Sequence, residues 1–115
     1  MTLTTSDTET ARIVTVSTTR IDAALAIRFK DDMRAATDGG PLRVVLDLSA
    51  VSFIDSSGLG AIVASMKQMD PSRRLDLAGL SPTVDKVFRL TRMDTVFTLY
   101  PTLDAALAEA AGPGG

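Results

Sequence analysis

Apolar positions recur along the chain with two alternating periods, one that suits strands and one that suits helices. Ile13, Val14 and Val16 lie in a β-branched run that ends near Thr19 and reads as a strand. Leu25, Phe29, Met33 and Ala36 follow at helical spacing, with Asp22 placed to cap that helix and Gly39-Gly40-Pro41 placed to stop it. The stretch from Leu42 to Leu48 contains the unbroken run Val44-Val45-Leu46, the pattern of a strand covered on both faces. A second helix follows Asp55-Ser56-Ser57-Gly58, with Leu59, Ile62, Val63 and Met66 as its core face and Asp70-Pro71-Ser72 at its end. Leu75 to Ala78 reads as a short strand closed by Gly79. Ser81-Pro82 then supplies an N-cap and a proline at the first helical position, and Val84, Val87, Phe88 and Thr91 line one face of the third helix. Val96 to Leu99 is expected as the next strand, and Thr102 caps a last helix with Leu103, Ala106, Leu107 and Ala110 inward. Strands alternating with helices predict an α/β domain with part of its sheet parallel, roughly four to five strands packed with about four α-helices.

Length and composition narrow the function classes. A chain of 115 residues is expected to be one domain. Residues 1–9 are polar and expected as a flexible lead-in, 10–111 as the folded domain, and Gly112-Pro113-Gly114-Gly115 as a flexible tail. The longest apolar runs, such as Ala61-Ile62-Val63-Ala64, are too short to insert in a membrane. The N-terminus has neither a basic start nor an apolar stretch, so no secretory signal is read and a cytoplasmic address is expected. Cysteine and histidine are both absent, which removes thiolate chemistry, Ser-His-Asp catalysis and imidazole-ligated metals. A net charge of −2 weighs against nucleic acid as the main partner. Arg73-Arg74 at a strand start, and Arg89 and Arg92 near a helix end, are ordinary placements of cations. A binding or regulatory module without a cofactor is expected ahead of an enzyme.

The chemistry concentrates in residues 47–60. A buried strand ending at Asp47 leads through a short loop to Asp55-Ser56-Ser57-Gly58 at a helix start. The first turn of a helix carries unpaired N–H groups and the positive end of the dipole, so serine and aspartate cap it and a phosphate is tolerated there. Plain capping is the simplest account of such a tetrad. Gly58 and Gly60 do not complete a dinucleotide-binding glycine pattern, because position 63 is Val, and no Lys-Ser or Lys-Thr pair makes a P-loop. Asp47 at a strand end admits an aspartate-based phosphoryl enzyme, with Asp55 as second carboxylate; a hydrogen-bonded loop acid is the competing account.

Leu46-Asp47-Leu48-Ser49, followed by Val51 and by Phe53-Ile54-Asp55-Ser56-Ser57-Gly58-Leu59-Gly60, resembles the signature of STAS domains, which include the bacterial anti-sigma factor antagonists. Arg20-Ile21-Asp22-Ala23, Leu77-Ala78-Gly79-Leu80-Ser81-Pro82 and Val96-Phe97 with Leu99-Tyr100 are similar to further family segments, over roughly residues 10–110. Thr19 departs from the glycine usual in the family. The resemblance implies a STAS-like fold and a regulator that works by partner switching. The unphosphorylated form would bind an anti-sigma factor that is also a serine kinase with an ATP-binding fold, releasing a sigma factor. Phosphorylation at Ser57, or at Ser56 in its place, would end that binding, and a serine phosphatase would restore it. The implied partner surface comprises Asp22, Asp55, Ser56, Ser57, Gly58, Ala61 and Ala64. Gly60, Ala61, Ala64, Ser65, Lys67 and Gln68 form the non-core face of the second helix, either an approach surface or a solvated one. A STAS subunit serving another partner, such as a transport complex, is the alternative of the same fold.

Overall fold

A computed structural model describes residues 3–110. The chain runs through strands β1 (Leu3–Asp7), β2 (Ala11–Val16) and β3 (Arg20–Ile21), then helix α1 (Ala23–Ala36), β4 (Arg43–Asp47) and β5 (Phe53–Ile54). Helix α2 (Ser56–Gln68), β6 (Arg74–Ala78), α3 (Pro82–Leu90), a 3-10 turn (Met93–Thr95), β7 (Leu99–Tyr100) and α4 (Leu103–Ala110) complete it. Five strands form one mixed sheet in the order β1-β2-β4-β6-β7. The β1–β2 pair is antiparallel and the rest are parallel, as crossover helices require. β3 and β5 pair in parallel as a separate two-stranded ladder.

The alternation of side chains along the strands sorts the two faces. Val14, Val16, Val44, Leu46, Leu75 and Leu77 join Phe29 and Met33 of α1, Ile62 of α2, and Val84 and Phe88 of α3 in the main core. Ala11, Val45, Ala78 and Tyr100 face the other way and pack on Ala106 of α4. The apolar run Val44-Val45-Leu46 thus serves both layers, and α1, α2 and α3 share one face while α4 takes the other. Asp76 sits at 1% exposure in β6, between Arg43 Nε at 2.8 Å and Arg74 Nε at 2.7 Å. Arg43 also donates to the Ala106 carbonyl at 2.9 Å, fastening α4 to the sheet.

Three expectations differ from the structure. The polar lead-in is a strand: Leu3 is buried opposite Val16, and Asp7 pairs with Arg12 Nε at 2.7 Å. Ladder pairing, not burial, makes β1, so its Thr-rich composition hid it. The strand expected at Val96–Leu99 is confined to Leu99–Tyr100. Its apolar signal came from Phe97, which enters the core edge-on to Phe88 (centroids 6.2 Å apart) from the irregular segment after the 3-10 turn, while Val96 is exposed. Within α2 the buried positions are Gly58, Ala61, Ile62 and Ser65, with Leu59, Val63 and Met66 only half-buried. Of the small residues expected on the outer face, Ala61 and Ser65 pack inside the molecule instead, while Gly60 stays exposed and Ala64 half-buried. The tail at 112–115 and the inward placing of Ala110 lie outside what the structure describes.

Candidate functional site

The β3–β5 ladder brings two distant segments together, with Arg20 opposite Phe53 and Ile21 opposite Ile54. Each strand ends directly at a helix, so the first turns of α1 and α2 rise from one corner of the molecule. Asp55 is the N-cap of α2, and its Oδ1 accepts from the Gly58 N–H at 2.8 Å. Its Oδ2 accepts from the Ala23 N–H, the first residue of α1, at 3.3 Å. Asp22 occupies the N-cap position of α1, yet its side chain makes no capping hydrogen bond. Instead it pairs with Arg20 Nε at 3.4 Å. The expected cap of α1 is therefore supplied by Asp55 across the corner, and Asp22 is left to its pairing with Arg20.

Ser56 and Ser57 are exposed in the first turn of α2, and neither hydroxyl takes a hydrogen bond among the described residues. Asp22, Asp55 and Ala64 are half-buried. Gly58 and Ala61 were expected at a partner surface, but both are buried. A Cβ on Gly58 would stand 2.0 Å from the Ile21 carbonyl oxygen, so this glycine lets α2 press on β3. Ser65 likewise turns inward and donates to the Ala61 carbonyl at 2.7 Å. The exposed part of the corner is Ser56, Ser57 and Gly60, with Asp22, Asp55 and Ala64 partly open beside them.

Two residues of the rim had no role in the sequence reading. The Arg20 guanidinium lies 4.1 Å from the centroid of the Phe53 ring, and that ring is 36% exposed. An exposed aromatic in a motif was the available signal; the arginine over it follows only from strand register. Thr19 replaces the usual glycine without strain, because Arg92 is the one non-glycine residue of positive φ among the described residues. Its carbonyl accepts from the N–H groups of Ser52 at 2.8 Å and Phe53 at 3.2 Å, closing the loop.

Asp47 ends β4 at 8% exposure, and its Oδ1 accepts from the Ser49 N–H at 3.0 Å. It borders an open crevice of about 290 Å³ with Ser49, Gly79, Thr102 and Asp104. Among the described residues, no group of three or more acidic, histidine or cysteine side chains is arranged to hold a metal ion. Asp47 has the geometry of a loop acid in an Asx-type turn. No helix among the described residues is long and apolar enough to cross a membrane.

A mixed sheet with a helix starting at Asp55-Ser56-Ser57-Gly58 defines a class of small α/β domain. Residues 3–106 match the STAS domain model, and the chain belongs to that family. It is 32% identical over 89 residues to BtrV of Bordetella bronchiseptica, a protein named as an anti-sigma factor antagonist, covering 76% of this chain and 77% of that one. It is 27% identical over 92 residues to the anti-sigma-F factor antagonist RsfB of Mycobacterium tuberculosis, covering 80% and 75% of the two chains. A solved anti-sigma factor antagonist from Mycobacterium paratuberculosis superposes with a TM-score of 0.84 at 31% identity, over 96% of this chain and 93% of that one.

Proposed function

We propose that the protein is an anti-sigma factor antagonist switched by phosphorylation of Ser57. The observation that carries this reading is the Ser57 hydroxyl, exposed and unengaged on the first turn of α2, beside Asp22 and Asp55. Its relatives named as anti-sigma factor antagonists support the class of partner. In its unmodified form the corner binds an anti-sigma factor with serine kinase activity, and the sigma factor held by that protein is set free. The kinase brings ATP and magnesium. The γ-phosphoryl group passes from ATP to Ser57 Oγ, the P–O bond to ADP breaks, and the hydroxyl proton is lost. A serine phosphatase reverses the modification by hydrolysis. Ser56, also exposed, is the acceptor of second choice.

The modification acts through charge at an interface. A phosphoserine adds about −1.5 to −2 charges and three acceptor oxygens. Within the free protein, the helix dipole supports such a charge by about 0.3–1 kcal/mol, so the fold has no reason to change. Against a partner, the same group is desolvated beside Asp22 and Asp55. A penalty of about 3 kcal/mol weakens binding more than a hundredfold.

Affinity capture from the native lysate in the presence of ADP, comparing wild type with Ser57→Asp, tests the reading. Wild type alone should retain a protein with an ATP-binding kinase fold, and Ser57→Ala should abolish phosphorylation by it. Retention of the same transport subunits by both forms would overturn the sigma-factor reading and leave Ser57 as part of a helix cap.

A further inference from the structure

One carboxylate serves two helices at this corner. Asp55 Oδ1 takes the Gly58 N–H of α2 at 2.8 Å, and Oδ2 takes the Ala23 N–H of α1 at 3.3 Å. The N-cap residue of α1, Asp22, makes no side-chain capping bond of its own. The Asp55 N–H also faces the Ile21 carbonyl at 3.4 Å, and Gly58 is pressed onto that same carbonyl. Residues 20–23 and 53–58 are therefore a single joint. Ser57 lies within it, two positions from Asp55.

We propose that Asp55 is a relay, so that a phosphate on Ser57 is felt at the first turn of α1. The proposal rests on the Ser57 reading above and extends its regulation to a second helix. A carboxylate that spans two fixed donors reaches both in one orientation only. A dianion in the turn that Asp55 caps repels its carboxylate and forces it to turn. Displacement breaks the longer of its two bonds first, the one to Ala23. The N-terminus of α1 then loses its cap, and Ala23 with the first turn of α1 is no longer tied to the first turn of α2. Asp55 is a positioning residue in this scheme, and it touches no reacting atom.

The test uses full-length protein with phosphoserine installed at position 57 during synthesis, so that it needs no kinase. Amide proton shifts and exchange rates are read by NMR with and without the phosphate, in wild type and in Asp55→Ser. Serine still caps α2 but is too short to reach Ala23. In wild type, the phosphate should move the Ala23 amide proton upfield and speed its exchange by about tenfold, the scale of one charge-assisted hydrogen bond. Phe29 and Met33, deeper in the same helix, should not change. In Asp55→Ser the Ala23 amide should exchange fast already, and the phosphate should add only the effect of its own field, with no further tenfold gain. The phosphate's own field acts on both backgrounds, so an equal response in the two, or no response at Ala23 in wild type, overturns the relay. Asp55→Asn, with one acceptor oxygen in place of two, substitutes if the serine variant does not fold. A relay present in a protein that no kinase modifies would remove the Ser57 reading and keep the coupling. Phosphorylation at Ser57 with Ala23 unmoved would do the reverse.

Discussion

Gly58 and Gly60 stand two residues apart in α2 and meet opposite surroundings. A Cβ at Gly58 would lie 2.0 Å from the Ile21 carbonyl oxygen, while one at Gly60 would have nothing within 4 Å. The carbonyl that Gly58 meets is part of the β3 backbone, so it has little room to give. Gly58→Ala should cost about 3 kcal/mol, the upper part of the usual range for overpacking. Gly60→Ala should stabilise by about 0.5–1 kcal/mol, the helix-interior penalty of an exposed glycine recovered. Urea unfolding midpoints of the two variants should shift in opposite directions. Asp76 poses a harsher case. It is almost fully buried and faces Arg43, itself mostly buried, so truncation leaves a cation without its counter-charge. Asp76→Ala should cost about 3–5 kcal/mol, read from the same denaturant curves. The sign of both glycine effects is invisible in the sequence, because it depends on which backbone crosses α2 at its first turn. Asp76 was visible as one acid inside an apolar strand, but its two arginines are assigned only by sheet register.

At the scale of elements, one arginine ties the end of β1 to the end of α1. Arg12 in β2 holds Asp7 through Nε at 2.7 Å and Nη2 at 3.1 Å. Its Nη1 donates to the carbonyls of Ala36 at 3.0 Å and Asp38 at 3.1 Å, so the same side chain closes α1. The Arg12 hydrogen bond holds the Asp7 carboxyl below the usual carboxylate range. A carboxyl lowered in the folded state contributes stability above its unfolded pKa, about 3.9, and loses it as the pH falls through the lowered folded value. Asp7→Asn should therefore be less stable than wild type at pH 7, and the difference in thermal midpoint should vanish as Asp7 protonates in the acid range. Equal midpoints at pH 7 would show that Asp7 does not hold β1. This dependence also explains which elements were legible. The helix α1 announced itself by periodicity alone, and α3 and α4 by periodicity and caps: Ser81 receives the Val84 N–H and Thr102 the Ala105 N–H as their positions suggested. β1 owes its form to a hairpin with the next strand, β2, and the two-residue β7 to pairing with β6 more than twenty residues earlier, so a polar run and a dipeptide gave no apolar pattern to read.

Across the whole molecule, the candidate switch is separated from what holds the fold together. The Asp55-Ser56-Ser57-Gly58 motif was legible as a helix start, and so was the family resemblance built around it. The joint with α1 was not, because two-residue strands carry no periodicity that could pair Arg20 with Phe53. Ser57 is exposed at one corner, whereas the largest buried side chains, among them Phe29, Phe88 and Leu46, lie between the sheet and its helices. Phosphorylation takes the net charge from −2 to about −4 but adds it at the solvent-facing end of a helix dipole. Solvent screens the field of that charge over about 8 Å at physiological salt. Phosphoserine at position 57 should then change the unfolding free energy by no more than about 2 kcal/mol, one hydrogen bond lost against the support of the helix dipole. Core signals from Val14, Leu46 and Phe88 should keep their NMR shifts, with changes limited to the first turns of α1 and α2. Affinity for the kinase captured by the unmodified protein should fall more than a hundredfold in the same sample, because there the charge must be desolvated against acids already present. A phospho-form that binds weakly and also shows shifted core signals would replace the interface block with a change of fold, and would place the switch in the packing of the whole domain.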